Sequence, residues 1–164
     1  MTTSHGYQFR SFSEADFLLI REWLAKPHVV EWWGDTEEQF ALVSGDLAEP
    51  AMAQFIVSAD GRPFGYLQSY DLAAWPDDSF GAQPPGTRAI DQFIGEPDMI
   101  GRGHGSAFIR AFVERQFAAG MPRVITGPDS DNGRAIRAYE KAGFAKEGIV
   151  DTRDGPALLM VRNP

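Results

Sequence analysis

The chain has 164 residues, enough for one domain with a full core, and carries 15 basic against 23 acidic side chains for a formal net charge of −8. That balance disfavours a nucleic-acid partner, which needs Lys and Arg to neutralise phosphates, and no run reaches the roughly 18 to 20 apolar residues of a membrane span. The lack of cysteine excludes disulfides, thiolate metal sites and a Cys nucleophile, and the absence of a basic-then-apolar leader points to a cytoplasmic protein.

In chain order, Tyr7, Phe9 and Phe12 around Gln8 and Arg10 predict a first strand. Ser13-Glu14-Ala15-Asp16 reads as a capping box opening a helix to Leu24, stopped by Pro27, with room for one further helix after it. Residues 54–58 and 63–70 flank Asp60-Gly61, a hairpin signal, and 88–94 is another apolar run, so three antiparallel strands follow. Between them lies 73–86, a long stretch in which Trp75 and Phe80 stand beside Asp77 and Asp78. It reads as a lid over a site or as a flexible surface connection.

Glycines at 101, 103 and 105 then open a helix whose apolar residues continue through 113. A short strand at 123–126, a helix at 134–142 ended by Gly143, and strands at 144–150 and 156–161 about Asp154-Gly155 complete the chain. The order β-α-(α)-β-β-β-α-β-α-β-β calls for a mixed α/β sheet wrapped by helices.

The glycine turn carries the first chemistry. Amides in the first turn of a helix lack internal partners, the helix dipole adds positive charge, and glycine lets an anion approach, so residues 101–106 form a phosphate cradle. The spacing is G-x-G-x-G, neither a Walker A loop nor the dinucleotide fingerprint. On the strand before it, alternation puts Asp91 and Phe93 on one face and Ile90, Gln92 and Ile94 on the other. A carboxylate there can bind an ammonium group and accept its proton; the plainer alternatives are edge exposure or a salt bridge to Arg88. His5, His28 and His104 are far apart in sequence and no metal-binding motif occurs, so no metal is expected.

Together with Asn132-Gly133-Arg134-Ala135-Ile136-Arg137-Ala138-Tyr139-Glu140-Lys141-Ala142-Gly143-Phe144, the glycine turn resembles the GCN5-related N-acetyltransferase (GNAT) superfamily. The resemblance implies one domain over 1–164, a central, mostly antiparallel sheet of six to seven strands flanked by helices, and acetyl-CoA as co-substrate. Backbone N–H groups of Arg102, Gly103, His104, Gly105 and Ser106 would hold the pyrophosphate. Phe93, Ile94, Asn132, Ala135 and Tyr139 would complete the cofactor contacts. His104 contributes only its backbone. Asn132 caps its helix or also meets the cofactor, and Tyr139 either protonates the departing CoA thiolate or is a core aromatic. Ile100 departs from the pattern, which usually has Gln or Arg there.

A narrower likeness, to aminoglycoside 6′-N-acetyltransferases, rests on five further blocks: His28-Val29-Val30-Glu31-Trp32-Trp33-Gly34, Gly65-Tyr66-Leu67-Gln68-Ser69-Tyr70, Ala89-Ile90-Asp91-Gln92, the residues 135–144 already quoted, and Asp154-Gly155-Pro156-Ala157. It implies Asp91 as principal acceptor carboxylate, with Trp33, Gln68, Asp77, Asp129 and Asp154 as further substrate contacts. One of Trp32 and Trp33 is expected in the core, with Trp33 assigned to the pocket. Where those enzymes carry an aspartate after the fifth strand this chain has Gly127, so Asp129 or Asp131 stands in or the acceptor differs. The expected partner is a polycationic amine, foremost an aminoglycoside, met by a monomer or homodimer. A polyamine, a siderophore precursor or a protein N-terminus is the alternative acceptor, and a non-catalytic binding module the alternative class.

Overall fold

The computed structural model describes residues 6–75 and 78–164. Its strands are β1 (Tyr7–Ser11), β2 (Met52–Ala59), β3 (Arg62–Asp71), β4 (Arg88–Ile94), β5 (Val124–Thr126), β6 (Ala145–Thr152) and β7 (Gly155–Arg162), forming a 7-stranded sheet in the order β1-β2-β3-β4-β5-β7-β6. β4 and β5 run parallel, whereas β1 with β2, β5 with β7 and β6 with β7 are antiparallel. The helices are α1 (Phe17–Leu24), α2 (Pro27–Trp33), α3 (Thr36–Asp46), α4 (His104–Ala118) and α5 (Gly133–Lys141). The mixed sheet is as read from the sequence, but two helices rather than one follow α1. Pro27 does not merely stop α1. It starts α2, at a position where its missing N–H is not needed. Gly34, at φ 91°, ends α2, and Asp35 caps α3 by accepting from the Glu38 amide at 3.0 Å.

The chain divides into two compact units: one holds the segment up to Gln68 with Gln92–Arg102, the other Ser69–Asp91 with Gly103–Pro164. In the first, Ile20, Trp23 and Leu24 on one stripe of α1 are buried, as helical spacing requires. The centre of that core is aromatic: Phe93 has Trp33 at 5.1 Å, Tyr66 at 5.5 Å and Trp23 at 6.3 Å between ring centroids. Mutual edge-on and tilted packing of this kind adds to the apolar burial.

Entry into α1 depends on Asp16, which is buried and accepts from the Ser13 amide at 2.9 Å and from both Arg10 terminal nitrogens at 2.8 and 3.0 Å. Burial by itself would raise the Asp16 pKa, but the Arg10 and Ser13 hydrogen bonds outweigh it and hold the carboxyl below its ordinary value. The folded pKa therefore lies under the unfolded one, and the stabilisation is complete above the unfolded pKa and lost as pH falls through the folded one. Asp16→Asn should cost about 1.5 kcal/mol at pH 7 and flatten the acid limb of a stability-against-pH curve measured by thermal melts. An acid limb unchanged by the substitution would disprove the assignment.

In the second unit α4 buries Phe108, Ile109, Phe112 and Val113, and β5 is buried throughout. Thr126 at the end of β5 donates from Oγ1 to the Ile90 carbonyl at 2.9 Å, tying the end of β5 to β4 one residue before Asp91. β6, at the sheet margin, is exposed along most of its length.

Candidate active site

The glycine turn has the backbone its sequence requires. Gly101 (φ 76°) and Gly103 (φ 82°) lie in the left-handed region, where a Cβ is strained. Gly103 is the N-cap of α4 and has no side chain to cap with; the first helical bond runs from the Ala107 amide to its carbonyl at 3.2 Å. His104, Gly105 and Ser106 form the first turn of a 15-residue helix, so their amides face along its positive end. Arg102 is exposed beside them, and Ile100 brings no charge.

The chain leading into this turn, within the first unit, is held tightly. The Phe93 side chain is buried in the aromatic core, so any contact it makes with a cofactor is through backbone. The Ile94 carbonyl is hydrogen-bonded to His28 Nε2 at 2.8 Å. A Cβ at Gly95 would stand 2.2 Å from the Trp23 indole, while Trp23 Nε1 donates to Glu96 Oε2 at 2.7 Å. Arg62 pairs with both oxygens of Asp98 at 2.8 Å.

On the same unit Gln68 is half-buried, and its amide is oriented by a hydrogen-bond chain. Gln54 Nε2 donates to the Val43 carbonyl at 2.8 Å and to Tyr66 Oη at 3.0 Å, and Tyr66 Oη donates to Gln68 Oε1 at 2.8 Å. That bond fixes Gln68 Oε1 as an acceptor and sets the plane of its amide. Trp33, assigned to the pocket, is the tryptophan that packs on Tyr66 and Phe93; Trp32 is the exposed one.

The second unit holds the remaining residues. Asp91 is half-buried on β4, and Arg88, its suggested salt-bridge partner, directs its guanidinium to Ser69, with Nε to Oγ at 2.8 Å and Nη2 to the carbonyl at 3.1 Å. Burial lowers the Arg88 pKa, with Asp71 opposing. Tyr139 on α5 is buried and packs edge-on against Phe144 at 5.4 Å. Asn132 caps α5, accepting from the Ala135 amide at 3.2 Å. Asp129 Oδ1 accepts from the Asp131 amide at 2.9 Å, Asp131 is exposed, and Asp154 is exposed in the β6–β7 turn. Asp77 lies outside the described residues. No cluster of His, Asp or Glu among the described residues is arranged to hold a metal.

The family model described as an acetyltransferase (GNAT) domain matches residues 13–152. The chain belongs to the GNAT acetyltransferases. It is 38% identical to the aminoglycoside N(6′)-acetyltransferase type 1 of Klebsiella pneumoniae, over 93% of this chain and 81% of that protein. Its fold is similar to the crystal structure of aminoglycoside acetyltransferase AAC(6′)-Ib with coenzyme A and kanamycin (TM-score 0.84, 37% identity, 96% of this chain and 95% of that one). The same holds for the complex with ribostamycin and coenzyme A (TM-score 0.86, 36% identity, 96% and 93%).

For a GNAT enzyme the glycine turn and the α5 cap were readable from residue spacing. Phe80 stands out in the sequence only as one of two aromatics in the 73–86 stretch, and His28, Gln54 and Tyr66 are not marked by spacing at all. A histidine bonded to a main-chain carbonyl, or a tyrosine aligning a glutamine, leaves no local pattern. Their one signal is that His28 and Tyr66 lie inside blocks of the acetyltransferase likeness.

Proposed function

We propose that this protein transfers the acetyl group of acetyl-CoA to the 6′-amine of an aminoglycoside, the whole chain acting as one cytoplasmic catalytic domain. The first-turn amides of α4 bind the coenzyme diphosphate, with the exposed Arg102 adding charge. Asp91 binds the 6′-ammonium group, takes its proton directly or through water, and frees the nitrogen lone pair to attack the thioester carbonyl. The carbon–sulfur bond breaks as the amide bond forms, and Tyr139 donates a proton to the leaving thiolate. Gln68, Trp33, Asp129 and Asp154 contact the sugar rings, carboxylates and aromatic faces suiting a polycation. The acidic surface concentrates such a ligand. No helix among the described residues is long and apolar enough to cross a membrane, in keeping with this reading.

The observation that carries the proposal is that the likeness to named aminoglycoside 6′-acetyltransferases runs through nearly the whole chain. It therefore takes in the strand with Asp91 and the acceptor-side blocks as well as the coenzyme turn. The test is thiol release from acetyl-CoA with a panel of kanamycin, ribostamycin, a polyamine, an N-hydroxylated diamino acid and an N-terminal peptide. The aminoglycosides should exceed the other amines in kcat/KM by about 100-fold or more, with the product acetylated at the 6′ nitrogen. Preference for another amine, or no release with either aminoglycoside, would overturn it.

A further inference from the structure

Gly127 is not a glycine for the sake of its backbone, since its φ lies outside the left-handed region that the other turn glycines adopt. What excludes a side chain is a ring: a Cβ there would stand 2.8 Å from Phe80 Cε1 and 3.3 Å from its Cζ, with Ala157 Cβ at 3.8 Å. Phe80 thus occupies the space that a residue at 127 would otherwise fill. The parallel register pairs Arg88 with Val124 and Ala89 with Ile125, and the bond from Thr126 Oγ1 to the Ile90 carbonyl carries the contact one residue further. Asp91 and Gly127 each follow that contact by one residue.

The backbone is fixed on both sides of this contact. The Phe80 carbonyl accepts from Gln83 Nε2 at 3.0 Å, and Gln83 Oε1 accepts from Arg123 Nη1 at 3.1 Å, just before β5. Gly127 cannot withdraw, because the chain after it is stitched to β7: the Leu158 amide donates to the Pro128 carbonyl at 2.8 Å and the Ser130 amide to the Pro156 carbonyl at 3.1 Å.

We infer that Phe80 is a specificity-determining residue, an apolar wall set beside Asp91 by its seat on Gly127, which selects among cationic sugars by how their rings pack against it. An acceptor whose amine is bound by Asp91 extends its next ring past that level, where it meets an aromatic face that offers dispersion and cation–π contact but no counter-charge. This inference rests on the proposed role of Asp91 at the acceptor.

The test is a double-mutant cycle of Phe80→Ala and Gly127→Ala, with kcat/KM for kanamycin and for ribostamycin, which differ in where the third sugar is attached, and KM for acetyl-CoA. Phe80→Ala should change the kanamycin-to-ribostamycin ratio by about tenfold with acetyl-CoA KM unchanged. Gly127→Ala, by displacing the ring, should move the ratio the same way, and in the Phe80→Ala background it should add less than about twofold, because the space is already vacant. Phe80→Leu, a milder change, gives the same reading should Phe80→Ala fold poorly. An unchanged ratio, or effects that simply multiply, would overturn the inference while wild-type turnover leaves the proposed function standing. If the wild-type protein acetylates neither aminoglycoside, the function fails first and the specificity role with it.

Discussion

Asp91→Asn should lower acetyl transfer to kanamycin by about 10³-fold while acetyl-CoA affinity stays within about twofold. Asparagine is nearly isosteric, so the half-buried position on β4 keeps its packing, and α4 with its glycine turn is untouched. What is lost is the charge that holds an ammonium group and the oxygen that can take its proton. These two losses separate with pH. As the solution approaches the amine's own pKa the free base supplies itself, so the kcat deficit of the variant should narrow, whereas a pure binding defect would appear in KM with kcat unchanged. Steady-state kinetics from pH 6 to 9, with calorimetric titration of acetyl-CoA, read both. A kcat unaffected by the substitution would remove Asp91 from the chemistry and leave the coenzyme turn without its reaction partner.

Gly95→Ala should destabilise the protein by about 4 kcal/mol, lowering the thermal midpoint by roughly 10 °C. A methyl group at this position would lie 2.2 Å from Trp23 Cγ and 2.3 Å from Cδ2. Neither partner has room to give. Trp23 is fully buried and tied to Glu96, and the Gly95 amide donates to the Phe64 carbonyl at 2.7 Å. The damage would extend to function, because Gly95 begins the segment that carries β4 into the glycine turn proposed to hold the coenzyme. The variant should therefore bind acetyl-CoA more weakly as well as melt earlier. A thermal midpoint within 2 °C of wild type would mean that the indole moves aside, and that the close approach is not a constraint.

Much of this molecule is written locally. The turn glycines at 101 and 103, the Asn132 cap and the hairpin at Asp154-Gly155 each follow from interactions within a few residues, so short-range pattern identifies them. The extra helix was missed because Pro27 has two local meanings, an end to one helix and a start to the next, and only the caps at Gly34 and Asp35 separate them.

The acceptor side is another matter. Which tryptophan packs, how Gln68 is turned, and why residue 127 is glycine depend on partners far away in sequence: Phe93 for Trp33, Gln54 through Tyr66 for Gln68, and Phe80 for Gly127. The amino-acid sequence by itself determined the order of elements, the anion-binding helix start and the family to which they point, because hydrogen bonding and periodicity act over single turns. Tertiary structure alone decided the walls of the site, because van der Waals exclusion acts between whichever side chains the fold brings together, and no local pattern records that meeting.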